Sequence, residues 1–190
     1  LKRCWTRTMT EKDKNYYRNL AKNNLLGLTA KDEQNRDVLF KFIAVYEDVK
    51  PKKVAAYISK SNEADTSMII RFLWNKGVKV YAPRVENGEM RFFPYEENTR
   101  VLLSDYGIYE PVGDEAETDF DIVLTPLLAF DSNFNRLGKG KGCYDKFLKN
   151  SSALKIGLAY REQYLDYFPV QEHDVPLDFV LYENNKRGQT

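Results

Sequence analysis

The sequence has little of the chemistry on which metal centres and disulfide frameworks depend. Its 190 residues include only two cysteines, Cys4 and Cys143, and one histidine, His173. Two cysteines exclude the usual four-thiolate zinc site and predict free thiols in a reducing compartment. A single histidine excludes a His-rich metal centre and confines any histidine-dependent triad to that one residue.

The sequence also lacks an excess of charge and a long apolar run. It has 29 Lys and Arg against 28 Asp and Glu, so the formal net charge is +1. The overall electrostatic field of such a chain is too weak to attract it to nucleic acid or to an anionic membrane. An anion that it binds therefore needs a local site. No apolar run approaches the roughly 18 residues that a membrane-spanning helix needs. We therefore expect neither a nucleic-acid partner nor a membrane partner.

What is present is the composition of one folded domain. Hydrophobic residues make up 43% and charged residues 30% of the chain, which is the balance of globular proteins. The length suffices for one sizeable core and is short for two. We expect an N-terminal extension over residues 1–9 and a single domain over residues 10–190. Residues 1–8 carry bases and no acid, which fits either a disordered extension, with a cytoplasmic protein, or a mitochondrial targeting remnant.

Hydrophobic periodicity predicts helices that alternate with short strands. The helical pattern covers residues 11–25, 31–47 and 66–76. Strand-like runs cover residues 53–59, 78–82, 89–95, 121–125, 155–160 and 178–182. Gly77 is a natural helix end, Pro83 a strand end, and Asn87-Gly88 a tight turn. This alternation predicts an α/β fold, in which a mostly parallel or mixed central sheet has helices on both faces.

The most unusual stretch is residues 135–148, which read NRLGKGKGCYDKFL. Its three glycines alternate with Lys139 and Lys141 after a predicted strand. Glycines allow positive φ and let a ligand approach the main chain, so that N–H groups can surround an anion. Together with Arg136, the two lysines supply charge for phosphate oxygens. The alternative is a solvated loop, because the spacing is neither the Walker A nor the dinucleotide-binding pattern.

Carboxylates follow this stretch and recur near the C-terminus. Asp145 is well placed to hold Mg²⁺ beside phosphates, or it simply complements the dipole at a helix N-terminus. His173, Asp174 and Asp178 form a second cluster, which provides either another metal carboxylate or ordinary turn hydrogen bonds. We do not expect His173 to be a ligand or a base, since no second histidine or cysteine lies at ligand spacing from it.

Three further polar residues occupy informative positions. Lys14 and Arg18 lie four residues apart on one face of the first predicted helix, which by default is a solvated face. Glu63 lies between a strand and a helix, at the carboxyl edge of the predicted sheet, where α/β proteins usually bind ligands.

Taken in order, several segments resemble the 5-formyltetrahydrofolate cyclo-ligase family, also called methenyltetrahydrofolate synthetases. The family pattern R-L-G-x-G-x-G-Y-Y-D-x-x-L is similar to residues 136–148, RLGKGKGCYDKFL. Other similar segments are Lys14-x-x-x-Arg18 and residues 62–66, 121–131 and 172–183. One departure is Cys143, which stands where the family usually has the first tyrosine. Cys143 does not read as a nucleophile, because no base is evident near it in sequence.

The resemblance implies ATP-dependent cyclisation of 5-formyltetrahydrofolate to 5,10-methenyltetrahydrofolate, with release of ADP and phosphate. The formyl oxygen would be phosphorylated and N10 would then attack. The implied cofactor is Mg²⁺, with ATP as co-substrate. The partners would be small molecules only, and we expect a monomer.

The resemblance also implies roles for individual residues. Asp145 and Asp174 would bind Mg²⁺, and the substrate-binding residues would be Ile58, Glu63, Tyr106 and Tyr144. Catalysis would be electrostatic, through Arg136, Lys139 and Lys141. The ATP-binding residues would be Lys14, Arg18, Arg136, Leu137, Gly138, Lys139, Gly140, Lys141, Gly142, Cys143 and Tyr144.

Two other functions stay open at this point. The chain could be a different enzyme for a phosphate-bearing ligand on a related α/β scaffold, since fold does not fix function. It could also be a non-catalytic protein whose Lys/Gly loop binds a polyanion. The latter predicts steep salt dependence and no ATP turnover, and the near-zero net charge disfavours it.

Overall fold

A computed structural model of the chain describes residues 13–105, 107–114 and 116–183. Its helices are α1 (Lys14–Asn24), α2 (Lys31–Val49), α3 (Ser67–Asn75) and α4 (Cys143–Leu148). Its first five strands are β1 (Lys53–Ala55), β2 (Lys79–Glu86), β3 (Glu89–Pro94), β4 (Val101–Leu103) and β5 (Tyr109–Pro111). The later strands are β6 (Ile122–Thr125), β7 (Ala129–Phe130), β8 (Arg136–Leu137), β9 (Leu154–Leu158) and β10 (Phe179–Leu181). The predicted extension over residues 1–9 lies outside these ranges, so its targeting alternative stays a prediction.

A six-stranded sheet forms the centre, in the order β10-β9-β6-β1-β2-β3. All neighbouring strands are parallel except β2 and β3, which pair antiparallel at one edge. The chain builds the sheet in one direction from β1 to β3 and in the other from β6 to β10. The connections that follow β1 and β6 therefore diverge, which opens a crevice at the carboxyl ends of these two strands.

The two faces of the sheet carry separate cores because strand side chains alternate between faces. On one face Val54 and Ile122 pack with Phe42 of α2 and Leu73 of α3. On the other face, the strand neighbours Ala55 and Val123 join the cluster that contains Leu148 of α4. Both faces are therefore covered by helix, and the predicted single α/β domain with a mostly parallel sheet is confirmed.

The prediction that Pro83 ends a strand is wrong, since β2 continues to Glu86. The N–H of Tyr95 donates to the oxygen of Val80 at 2.8 Å, so even-numbered residues of β2 exchange hydrogen bonds with β3. The nitrogen of Pro83 faces the other side, where β1 has already ended opposite Tyr81. The proline therefore breaks no ladder hydrogen bond.

The predicted helix end at Gly77 and the predicted turn at Asn87-Gly88 are confirmed by positive φ angles. Gly77 follows α3 with φ 72°, while Asn87 and Gly88 join β2 to β3 with φ 50° and 81°. None of the described helices combines the length and the apolar character needed to cross a membrane.

Candidate active site

A cavity of about 470 Å³ opens at the crevice beside β1 and β6. That volume lies in the range of sites for small organic ligands. The predicted site residues that line it are Lys14, Arg18, Ile58, Glu63, Arg136, Leu137, Gly138, Lys139, Gly140, Lys141, Gly142, Cys143, Tyr144, Asp145 and Asp174. Tyr106, which is also among the predicted residues, lies outside the described ones.

Helix α1 brings Lys14 and Arg18 to this cavity. Asp13 caps the helix by accepting a hydrogen bond from the N–H of Tyr16 at 3.0 Å. On the inner side, Tyr17 and Ala21 belong to the apolar cluster of Leu137 in β8. This packing turns Lys14 and Arg18 toward the cavity rather than toward solvent.

The glycine-rich segment that follows β8, residues 138–142, is called the anion loop here. Gly140 has φ +98°, and a Cβ at this position would approach the guanidinium carbon of Arg18 to 3.1 Å. A Cβ at Gly138 would lie 2.8 Å from a guanidinium nitrogen of Arg136. The Nε of Arg18 donates to the oxygen of Gly138 at 2.9 Å. Glycine at these two positions lets two guanidinium groups lie directly against the loop backbone.

Arg136 is turned inward beneath the anion loop. Its side chain is only 4% exposed, and its Nη2 donates to Oδ2 of Asp145 at 2.9 Å. Its Nη1 reaches the oxygen of Pro126 at 3.3 Å. Its Nε is buried without a hydrogen-bond partner among the described residues. One donor of this guanidinium is therefore unsatisfied among the described residues, while another is committed to Asp145.

Lys14 and Asp174 form a second acid–base pair although they lie 160 residues apart in the sequence. The Nζ of Lys14 is 2.5 Å from Oδ2 of Asp174, and both side chains are largely buried. The same carboxylate accepts the N–H of Gln171 at 2.7 Å. Burial alone would raise the pKa of Asp174, but these hydrogen bonds to the ionised form lower that pKa below its usual value.

Glu63 and Lys139 form a third pair, which joins the segment after β1 to the anion loop. The Nζ of Lys139 is 2.5 Å from Oε1 of Glu63, whose side chain is 6% exposed. Oε2 of Glu63 accepts the N–H of Lys60 at 2.9 Å. The hydroxyl of Tyr160 donates to the backbone oxygen of Glu63 at 3.1 Å. Glu63 is thus fixed by contacts to its side chain and its backbone.

Tyr144 lies between these pairs. Its hydroxyl oxygen is buried and has no hydrogen-bond partner among the described residues. Burial raises the pKa of Tyr144, and the Glu63 carboxylate raises it further. The guanidinium of Arg136 lies 5.6 Å from the centre of the Tyr144 ring. The phenol is therefore a neutral group between a carboxylate and a guanidinium.

One wall of the cavity was not predicted. The β2–β3 hairpin contributes Val85 and Met90, and the β4–β5 hairpin contributes Ile108 and Glu110. Tyr57 also lines the cavity, and its hydroxyl is satisfied by the oxygen of Ala64 at 2.8 Å. In the sequence these residues look like ordinary strand residues, so only the tertiary structure shows that they face the cavity.

The fold and this cavity define an α/β protein with a basic, ligand-sized cavity at the carboxyl edge of a parallel sheet. Residues 10–183 match the model of the 5-formyltetrahydrofolate cyclo-ligase family, and the chain belongs to that family of enzymes. The resemblance stated from the sequence, and the enzyme class it implied, are thereby confirmed.

Individual relatives agree with this assignment. The chain is 34% identical over 145 residues to the 5-formyltetrahydrofolate cyclo-ligase of Haemophilus influenzae. The aligned region covers 71% of this chain and 78% of that protein. The chain is 30% identical over 183 residues to the mouse protein of the same name, covering 86% and 90% of the two chains. The solved 5,10-methenyltetrahydrofolate synthetase of Aquifex aeolicus superposes with a TM-score of 0.79 at 29% identity, covering 93% of this chain and 95% of that one.

Proposed function

We propose that this protein cyclises 5-formyltetrahydrofolate to 5,10-methenyltetrahydrofolate and converts ATP to ADP and phosphate in the same reaction. The observation that carries the proposal is the contact between Lys139 of the anion loop and Glu63, at 2.5 Å. A phosphate bound by the loop and a heterocycle bound by Glu63 would lie side by side in one cavity. Transfer of a phosphoryl group between two bound molecules needs such proximity.

The nucleotide phosphates would lie against the anion loop. The backbone N–H groups of Gly138, Gly140 and Gly142 can surround phosphate oxygens. The basic side chains around that position are Lys14, Arg18, Arg136, Lys139 and Lys141. Leu137, Cys143 and Tyr144 complete the proposed nucleotide contacts.

The folate would occupy the part of the cavity between Glu63 and the two hairpins. The buried Glu63 carboxylate is an acceptor for the N–H groups of the pterin ring, and such a hydrogen bond fixes the orientation of the ring. Ile58 and Tyr144 would pack against the ring, together with Met90 and Ile108 of the hairpin wall. We also keep Tyr106, which lies outside the described residues, as a proposed stacking residue.

Asp145 and Asp174 are the residues that would hold Mg²⁺. Among the described residues, no group of three or more histidine, cysteine or acidic side chains is placed to hold a metal ion. One or two carboxylates suffice for Mg²⁺ when phosphates supply further oxygen ligands. The donor set therefore fits an ion that arrives with the nucleotide, and that ion would neutralise phosphate charge.

The chemistry begins from a poor electrophile, because amide resonance reduces the reactivity of the N5-formyl carbonyl. Transfer of the γ-phosphoryl group to the formyl oxygen releases ADP and leaves a phosphorylated, imidate-like carbon. N10 attacks that carbon, the ring closes as N10 gives up its proton to the departing phosphate or to water, and the C–O bond breaks to release phosphate. Lys139, Lys141 and Arg136 would stabilise the charge on the transferred group, and the cavity would align it with the formyl oxygen.

An isotope experiment tests this sequence of steps. The substrate is prepared with ¹⁸O in its formyl oxygen and converted by the enzyme with MgATP. The proposal expects the label in the released inorganic phosphate. Label that appears in water, as in uncatalysed ring closure without ATP, would contradict phosphorylation of the formyl oxygen.

A further inference from the structure

The ion pair between Glu63 and Lys139 has one fixed and one exposed partner. Glu63 is 6% exposed and is held by Lys60 and Tyr160, as described above. The side chain of Lys139 is 43% exposed and extends from the anion loop between two glycines. The pair therefore opens by movement of the lysine, while the carboxylate keeps its place.

Opening this pair has unequal costs for the two ligands. A nucleotide that draws Lys139 to its phosphates leaves a buried carboxylate without its cation, which is strongly unfavourable. A folate that places its N–H donors on Glu63 supplies the carboxylate with new partners. The displaced ammonium of Lys139 then returns to water, where an exposed lysine is well hydrated.

We infer that Lys139 couples the two halves of the cavity, so that folate bound at Glu63 releases this lysine for the nucleotide. The inference rests on the proposed function and adds a binding order to it, with folate before nucleotide. Without folate, Glu63 competes with the phosphates for Lys139 and nucleotide binding is weak. This arrangement limits ATP consumption when no folate is present.

The other two acid–base pairs of the cavity do not provide this coupling. Asp174 and Asp145 are the carboxylates proposed to serve the nucleotide and its Mg²⁺, and their partners Lys14 and Arg136 also belong to the nucleotide side. In those two pairs MgATP alone would supply both new partners, phosphates for the bases and Mg²⁺ for the carboxylates. Of the three pairs described above, the Glu63–Lys139 pair is the one that joins a proposed folate contact to a proposed phosphate contact.

The test measures the affinity of the protein for the magnesium complex of a non-hydrolysable ATP analogue, by calorimetry, with and without 5-formyltetrahydrofolate. For the unmodified protein we expect folate to tighten nucleotide binding by about 5-fold or more, the lower end of typical coupling between sites. Glu63→Gln should bind the nucleotide more tightly in the absence of folate, by a similar factor, and should lose the response to folate. A merely structural role for Glu63 predicts a loss of affinity instead.

Two control variants separate this effect from a general change of charge. Asp65→Asn removes a carboxylate two residues away that bonds Ser59 and Ser67 rather than Lys139, and it should leave nucleotide affinity unchanged. Lys139→Met should weaken nucleotide binding and abolish the response to folate. In the Lys139→Met background, Glu63→Gln should no longer tighten nucleotide binding.

The outcomes distinguish this inference from the proposed function. Equal nucleotide affinity with and without folate would overturn the coupling, as would a gain in Glu63→Gln that persists without Lys139. Either result would still be compatible with turnover by the unmodified protein, so the proposed function would stand. Absence of turnover and of folate binding in the folded, unmodified protein would overturn the proposed function, and the coupling with it. The measurements on unmodified protein and on Lys139→Met decide the question even if Glu63→Gln does not fold.

Discussion

At the residue scale, three carboxylates of the cavity are each paired with a basic side chain. Glu63, Asp145 and Asp174 each lie within 2.9 Å of a lysine or arginine nitrogen. Pairing matters because a partly buried charge without a partner is costly. In the proposed function, binding would exchange partners, with phosphates taking the bases while pterin N–H groups or a cation take the carboxylates.

The first prediction concerns Asp145, which the account places both on Arg136 and on Mg²⁺. Asp145→Asn keeps an oxygen that can accept from Arg136 but loses the negative charge. We expect turnover with MgATP to fall by more than about 10-fold, with the far-UV circular dichroism unchanged. The control is Asp178→Asn. The Asp178 carboxylate accepts the N–H of Lys155 at 2.7 Å and is not part of the cavity. Near-normal turnover in Asp145→Asn would contradict the assignment of Asp145 as a Mg²⁺ ligand.

At the scale of elements, the anion loop depends on the close approach of α1. Gly140 and Gly142 both have positive φ, at +98° and +66°, but only at Gly140 would a Cβ meet another group, the Arg18 guanidinium. Backbone strain alone costs roughly 1–3 kcal/mol at either position. The contact with Arg18 of α1 is therefore what distinguishes position 140 from position 142.

The second prediction follows from that difference. Gly140→Ala should weaken binding of a non-hydrolysable ATP analogue more than Gly142→Ala does, because it displaces Arg18 as well as straining the loop. Calorimetric titration of both variants, together with their urea midpoints, provides the comparison. Equal loss of nucleotide affinity in the two variants would mean that the Arg18 contact with the loop has no functional role.

The elements also show how far the sequence alone reaches. Alternation of short apolar runs with helical stretches predicts the parallel sheet, and the segments after β1 and β6 meet because neighbouring parallel strands end at one edge. The β4–β5 hairpin was not predicted, since its three-residue strands are too short to show a pattern. It is fixed instead by distant contacts, as when Nη1 of Arg84 donates to the oxygens of Pro111 and Gly113 at 3.0 Å.

The candidate site divides in the same way. Its residues were predicted from motifs and resemblance, and the described ones do line one cavity. Which acid pairs with which base was not predicted, because the partners lie up to 160 residues apart. Such pairs follow from tertiary packing and not from local spacing.

At the scale of the whole molecule, an ion pair outside the cavity ties the loop before β6 to β1. Glu117 accepts from the Nζ of Lys53 at 2.8 Å and from the N–H groups of Thr118 and Asp119. The hydrogen bond from Lys53, helped by the two N–H groups, lowers the pKa of Glu117 from 4.5 to about 2. A lowered pKa means that the ionised form is favoured by folding, so stability depends on pH.

The third prediction gives that dependence its sign. Because the folded pKa lies below the unfolded one, the contribution of Glu117 is complete above pH 4.5 and is lost as the pH falls toward 2. Glu117→Gln should therefore lower the urea midpoint at pH 7, and the difference from the unmodified protein should shrink below pH 4.5. A difference that is the same at pH 7 and pH 3.5 would show that the ion pair does not contribute.

The central claim is the cyclisation itself, and near-ultraviolet absorbance tests it most directly. Purified protein is mixed with 5-formyltetrahydrofolate, with and without MgATP, in a buffer in which the methenyl product is stable. The product absorbs where the substrate does not, so the account predicts a rise in absorbance that requires protein, ATP and Mg²⁺ together. No rise with folded protein, or a rise that does not depend on ATP, would contradict the account.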